Sequence, residues 1–235
     1  MKTIIIIPTY NEKNNVESLV EQIFSLNISG LEILFIDDNS PDGTADTIKK
    51  MQIKHPIHLI QRPKKLGIGS AYLIGFQKAF EMDADYIIEM DADLSHNPKD
   101  IPLLITTCAN GADLTIGSRK IAGGKIEGWN LKRKLMSNGA MFFARLILNL
   151  KTKDVTAGFR CFKKSTLEKI DLKKIKSNGY AFQEEILFKV ERTGNKVVEV
   201  PVNFPNRKHD QSKLNKKDII EFFIVMLKLK FQQFF

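Results

Sequence analysis

A chain of 235 residues can bury the core of one sizeable α/β domain, with at most a small appendage. Its composition, 43% hydrophobic and 27% charged, excludes wholesale disorder. The net charge of +9 hides an asymmetry: residues 1–118 hold 10 Lys+Arg against 16 Asp+Glu, and residues 119–235 hold 26 against 11. An acidic half followed by a basic half suits a site with a cation on one wall and phosphates on the other. Nucleic acid is a further partner for such lysines, but no nucleic-acid motif or pattern of stacking aromatics accompanies them. Cys108 and Cys161 lie far apart without C-x-x-C spacing, which argues against a disulfide framework or a zinc site and fits a reducing compartment.

Short apolar runs alternate with amphipathic segments, the pattern of β-α-β units on a mostly parallel sheet. TIIIIP (3–8) is too continuous to have a wet face, so it reads as a buried first strand. It is also too short for a signal-peptide core, and no stretch approaches a membrane span. Asn14 or Asn15 caps the helix that follows, with Val16, Leu19, Val20, Ile23 and Phe24 on its apolar face. LEILFIDD (31–38) is a second strand ended by the turn NSPDGT, and IHLIQ (57–61) a third. LGIGSAYLIGFQKAF (66–80) opens on glycines and becomes helical. ADYIIEM (84–90) is a fourth strand. Next come a helix around 99–109, the strand LTIGSR (114–119), the Gly-rich loop GGKIEGW and a longer helix over 129–149. TAGFRCF (156–162) is extended, EEILFKVERTG helical, and KVVEVPVNF (196–204) a last strand. No internal repeat or low-complexity linker interrupts the chain, so residues 1–214 form one domain and 215–235 a C-terminal helix.

The pentapeptide EMDAD occurs twice, at 81–85 and 89–93, at opposite ends of the fourth strand. Ligands of open parallel sheets bind outside the carboxyl ends of the strands. Asp83 and Asp85 are therefore solvated, and Asp91 and Asp93 are functional. Tyr10 and Glu12 follow the first strand onto that edge, and Asp37 and Asp38 the second. Carboxylates from three strand ends repel one another unless a cation or a hydrogen-bonded ligand sits among them. Asp37 reads as bonding its own turn while Asp38 faces the ligand, and Asp42 and Gly43 as turn chemistry. Gly67 and Gly69 read as loop glycines near the diphosphate, and His96 as a supporting rather than a reacting residue. Mg²⁺ or Mn²⁺ held by one or two carboxylates completes its shell with waters and substrate phosphates, which points to a nucleoside diphosphate.

PTYNE, DDNSPDGT, MDADLSHNP, GSR, TAGFR and RKHDQSK, in this order, resemble the family-2 inverting glycosyltransferases, and among them the polyprenol (dolichol) phosphate mannosyltransferases. The resemblance implies the nucleotide-diphospho-sugar transferase (GT-A, Rossmann-like) fold, a mostly parallel central sheet flanked by helices. It implies that Pro8, Tyr10, Glu12, Ile36 and Asp38 line the nucleoside pocket. Asp91, Ala92, Asp93 and Ser95 hold the metal and diphosphate, and Arg207, Ser212 and Lys213 close over the donor phosphates. Arg119, Arg133 and Ser137 then meet the acceptor phosphate, and Gln183 and Glu185 line the acceptor side. The implied donor is GDP-mannose and the acceptor a polyprenyl phosphate. A UDP-sugar donor, a saccharide hydroxyl as acceptor and a silent nucleotide-binding module are the alternatives. The implied location is peripheral, on the cytoplasmic face of a membrane, with a membrane-anchored partner subunit left open.

A hydroxyl nucleophile needs a general base during attack, whereas a phosphate monoester, with a second pKa near ~6, is already largely dianionic at neutral pH. It needs arginines to hold two anionic substrates together, and the basic second half supplies them. The tail KDIIEFFIVMLKLKFQQFF (217–235), interrupted by Glu221, Lys228 and Lys230, is a poor span. It is a good anchor at a membrane surface, with docking on its own domain as the other reading.

Overall fold

The computed structural model describes residues 1–179, 181–205 and 216–231, without the side chains of 132, 133 and 216–221. Nine strands are described: β1 (Thr3–Thr9), β2 (Leu31–Asp37), β3 (Ile57–Gln61), β4 (Tyr86–Glu89), β5 (Leu114–Ser118), β6 (Lys125–Ile126), β7 (Arg160–Lys163), β8 (Val197–Pro201) and β9 (Asn203–Phe204). The helices are α1 (Lys13–Phe24), α2 (Thr44–Met51), α3 (Ile68–Glu81), α4 (Ile101–Ala109), α5 (Leu131–Leu148), α6 (Lys164–Glu168), α7 (Phe182–Arg192) and α8 (Lys216–Phe231).

Seven strands form one sheet in the order β3-β2-β1-β4-β7-β5-β8. All neighbours are parallel except β7, which runs antiparallel to both β4 and β5. The consequence is positional: β1, β2, β4 and β5 end on one edge, and β7 begins there. The loop before β7 thus reaches the same edge as the acidic pair. This is the expected GT-A-like architecture, a mostly parallel sheet with helices on both faces.

The unbroken isoleucines of β1 follow from those two faces. Ile4 and Ile6 pack under α3, α5, α7 and α8, while Ile5 and Ile7 pack under α1, α2 and α4. All four are completely buried, as a strand covered on both sides requires. Gly75 lets α3 lie directly on β1, since a Cβ there would stand 2.5 Å from Ile6 Cγ2.

Three expectations are corrected. α1 starts at Lys13, so neither Asn14 nor Asn15 caps it; Asn15 is buried inside the helix and donates to Glu12 Oε2 at 2.7 Å. The last strand is not continuous, because β8 stops at Pro201 and β9 leaves the sheet to pair with β6, inside the presumed Gly-rich loop. The fourth strand is shorter than 84–90. Asp83 and Asp85 are both exposed, as expected of the first pentapeptide, and Asp85 also accepts from Lys2 N at 2.7 Å.

Candidate active site

The loops after β1 and β2 are sewn together by short polar side chains. Asn11 N donates to Ser40 Oγ at 3.0 Å, Glu12 N to Thr44 Oγ1 at 3.0 Å and Lys13 N to Asp42 Oδ2 at 3.1 Å. Burial works against the Asp42 carboxylate, but hydrogen bonds from Thr44 and Lys13 outweigh it and hold its pKa below the usual range. Gly43, at φ 88°, opens α2 in the left-handed region, so Asp42 and Gly43 are turn chemistry. Asp37 is enclosed and accepts from Thr9 Oγ1 at 3.0 Å, Ser40 N at 3.0 Å and Ser40 Oγ at 2.6 Å. It bonds its own turn.

Asp38 has a partner that the sequence did not suggest. Arg62, just past β3 and itself buried, pairs with Asp38 through Nε and reaches Ser70 Oγ at 2.6 Å and Gly67 O at 3.0 Å. Arg62 thereby fixes Asp38 and the glycine loop in one unit. Gly67 and Gly69 are required by a close approach, since a Cβ on either would collide with the carbonyls of Asn178 and Ser177. Tyr10 lies half-buried with Lys65 Nζ 4.5 Å from its ring centroid. Ile36 is wholly enclosed in the core, so its side chain offers no surface to a ligand. Pro8 is half-buried, and Glu12 is buried against Asn15.

After β4 the chain turns sharply through Asp91–His96. Leu94 takes φ 62°, costly for a non-glycine residue and typical of a constrained functional loop. Asp93 Oδ1 accepts from Ser95 N at 3.0 Å. The Asp91 N–H donates to His96 Nδ1 at 3.0 Å, which puts the neutral ring's proton on Nε2, 3.9 Å from Asp91 Oδ2. His96 is buried and stacks on Phe159 at 4.9 Å. It orients Asp91.

Ser95 Oγ is enclosed beside this pair and has no hydrogen-bond partner. Among the described residues no three His, Cys, Asp or Glu side chains form a metal cage by themselves. Two carboxylates and an unsatisfied hydroxyl fit a hard divalent ion that draws its remaining ligands from water and substrate phosphates. Ala92 is buried between the two aspartates.

Arg119 follows β5 and is clamped. Its N and Nε donate to Asp154 Oδ2, both at 2.8 Å, and Nη2 reaches Asp154 Oδ1 at 2.6 Å and Thr156 Oγ1 at 2.8 Å. Phe204 of β9 and Trp129 face the guanidinium at 5.1 and 5.8 Å. Burial opposes its charge, yet the hydrogen bonds and charge of Asp154, followed by the charge of Asp91, raise its pKa. Asp154 is itself held by Glu199, which accepts its N–H at 3.0 Å. Arg160 stands at the start of β7, entirely buried, and donates to the carbonyls of Ala157 at 2.7 Å, Gln183 at 2.8 Å and Val155 at 2.9 Å. It ties the loop carrying Asp154 to the start of α7.

Asp154 and Glu199 escaped the sequence reading, whereas Thr156 and Arg160 entered it within the motif TAGFR, with no role given to them. Around Arg160 burial raises Glu89 to about 7 and Glu184 to about 8, the Arg160 charge opposing both.

Of the acceptor-side residues, Ser137 lies half-buried on α5 and Gln183 is buried, its Oε1 without a partner. Glu185 is a loop anchor, accepting from Ser177 N at 3.0 Å and Ser177 Oγ at 2.6 Å. Its carboxylate faces its own domain. The side chain of Arg133, and Arg207, Ser212 and Lys213 entirely, lie outside the described residues.

The family model described as glycosyl transferase family 2 matches residues 4–171. The chain is 40% identical over 218 residues to the undecaprenyl-phosphate mannosyltransferase of Micrococcus luteus, covering 92% of this chain and 88% of that one. It is 37% identical over 222 residues to the polyprenol monophosphomannose synthase of Mycolicibacterium smegmatis, covering 94% and 83%. Identity to the dolichol-phosphate mannosyltransferase of Pyrococcus furiosus is 41% over 226 residues, covering 94% of this chain and 62% of that one. In fold the chain matches glucosyl-3-phosphoglycerate synthase from Mycobacterium tuberculosis, solved with Mn²⁺, UDP-glucose and phosphoglyceric acid. The TM-score is 0.71 at 16% identity, covering 97% of this chain and 79% of that one.

Proposed function

From a chain that belongs to glycosyl transferase family 2 and is a glycosyltransferase, we propose transfer of mannose from GDP-mannose to a polyprenyl phosphate at the cytoplasmic face of a membrane. The relatives' names supply the sugar and the acceptor class. The observation that carries the reading is the meeting of Asp91 and Asp93 with the clamped Arg119 at one sheet edge, close enough for the Asp91 charge to act on the guanidinium.

Asp91, Asp93 and Ser95 would hold Mg²⁺ or Mn²⁺. A bound divalent ion neutralises the charge of the departing nucleoside diphosphate. Tyr10, Glu12 and the Asp38–Arg62 unit would seat the nucleoside. Arg119, held rigid by Asp154, would orient the acceptor phosphate. A phosphate oxygen then attacks the anomeric carbon as the bond to the nucleoside diphosphate breaks on the opposite side, which inverts that carbon. No general base is required, because the nucleophile is already anionic. Orientation and charge neutralisation are the main catalytic terms.

The membrane setting is supported by α5 and α8. These helices pack together, with Phe143 against Phe223 at 4.9 Å between ring centroids. α8 buries Met226 and Leu229 in the main core. Leu131, Leu135, Phe142 and Leu146 on α5, and Phe223, Ile224, Leu227 and Phe231 on α8, remain exposed. No helix among the described residues is long and apolar enough to cross a bilayer. The outer face suits an interfacial position instead.

The test is transfer of radiolabelled sugar into lipid extract with Mn²⁺, from GDP-mannose, GDP-glucose, UDP-glucose and UDP-galactose. Mannose incorporation from GDP-mannose alone is expected. Incorporation only from a UDP-sugar would replace the donor, and none from any donor would remove the reading.

A further inference from the structure

Lys120 follows Arg119 on a backbone that has little freedom. Lys120 N donates to Ser118 Oγ at 3.2 Å, and a Cβ on Gly124 would stand 2.6 Å from Ser118 O and 2.9 Å from Arg119 C. From this base the Lys120 side chain crosses to α5, where Nζ donates to Asn138 Oδ1 at 2.8 Å. Burial first, and then the charges of Arg119 and Lys134, lower its pKa, with Asp154 opposing them. Asp154 is committed to Arg119 through both oxygens. Among the described ion pairs none joins Lys120 or Lys134 to a carboxylate.

Lys120 thus stands between Arg119 at the sheet edge and Lys134 on α5, while Asp154 is already used and Asp91 belongs to the acidic pair. Such a cluster is costly by itself and favours an incoming anion. The Lys120 ammonium rests on a neutral amide, which a phosphate oxygen can replace with a stronger, charge-assisted bond. Position on the helix supplies the second half of the argument. Asn138 lies seven residues after Leu131 and four before Phe142, so the helical repeat puts it on the same stripe as those exposed apolar side chains. The cation is therefore presented where a polar head and an apolar chain meet.

We propose that Lys120, delivered by Asn138 and supported by Lys134, is a specificity-determining contact for the phosphate of a lipid-linked acceptor, distinct from the donor diphosphate. This rests on the acceptor class proposed above. A lysine acts as a point charge and adds a donor beside Arg119, whose Nε and Nη2 are engaged by Asp154 and Thr156. Together they select a phosphate monoester over a neutral alcohol of the same chain.

The test uses the full chain with farnesyl phosphate as probe, farnesol as the uncharged control, and GDP-mannose with Mn²⁺ as donor. Trp129 is the single tryptophan and lies beside Arg119, so its fluorescence reports binding without turnover. Lys120→Met is expected to weaken farnesyl phosphate binding and raise its KM by about tenfold or more, leaving the KM for GDP-mannose unchanged. Lys120→Arg should restore most of the affinity, and Asn138→Ala should give a smaller loss in the same KM. Farnesol affinity should not respond to any of the three.

Unchanged farnesyl phosphate affinity in Lys120→Met, or an equal rise in both KM values, overturns the inference. Lys120-dependent binding without mannose transfer would leave the inference standing and sink the proposed reaction instead. Transfer that ignores Lys120 would do the reverse.

Discussion

Asp91 and Asp93 differ from the twelve other aspartates of the chain in where β4 leaves them, and their replacement separates chemistry from folding. Asp91→Ala with Asp93→Ala should lower metal-dependent sugar transfer by about 10³-fold or more, in the range of losing a preorganised charge at a reacting centre. Circular dichroism should show the fold intact. Glu184 tests a different property, its titration inside the core. Its pKa is raised from 4.5 to about 8 by burial, so the folded protein holds this proton more tightly than the unfolded chain. The stability it contributes is complete below pH ~4.5 and is lost as pH rises through ~8. Glu184→Gln, which cannot ionise, should flatten the fall in Tm between about pH 5 and pH 9. An unchanged slope would place the alkaline loss elsewhere. Arg62 and Arg160 show how buried guanidiniums serve this molecule. Each fastens a loop by bonding backbone or side-chain oxygens, which orders the sheet edge that carries the candidate site.

At the level of elements, α3 and α8 make contrasting demands. α3 touches β1 through Gly75, with no room for a methyl group beside Ile6. Gly75→Ala should therefore cost about 1–3 kcal/mol through overpacking, despite the better helix propensity of alanine. For a chain of this size that is a drop of very roughly 2–12 °C in Tm, measurable by differential scanning calorimetry. α8 instead has a buried face and an exposed apolar one. Ile224→Ser with Leu227→Ser removes exposed side chains only, so Tm should hold while binding to phosphatidylglycerol vesicles falls by about tenfold or more. Equal vesicle binding by the variant would take α8 out of the membrane-facing role. β7 shows what one antiparallel strand contributes, because running backwards brings Asp154 and Thr156 to the edge where β5 delivers Arg119.

For the whole molecule, ligand linkage is the broadest test. Mn²⁺ with GDP at about 100 times Kd should stabilise by about 2.7 kcal/mol, raising Tm by roughly 5–11 °C. EDTA should abolish the shift if Asp91, Asp93 and Ser95 hold the metal. The sequence alone determined the alternation of strands and helices, the buried β1, and which EMDAD copy lies past the carboxyl end of the fourth strand. Those features depend on hydrophobic period and on the direction of parallel strands, both local or topological and so visible in one dimension. It also read Asp37 as bonding its own turn, which the bonds from Ser40 bear out. Only the tertiary structure decided that Ile36 and Glu185 face their own domain, that Arg62 pairs with Asp38, and that Asp154 and Glu199 brace Arg119. The contacts among Arg62, Asp38, Arg119, Asp154 and Glu199 join residues between 24 and 45 positions apart. Partner choice at such separations is set by how buried charges find one another once the sheet has closed, and no periodicity in the chain encodes it.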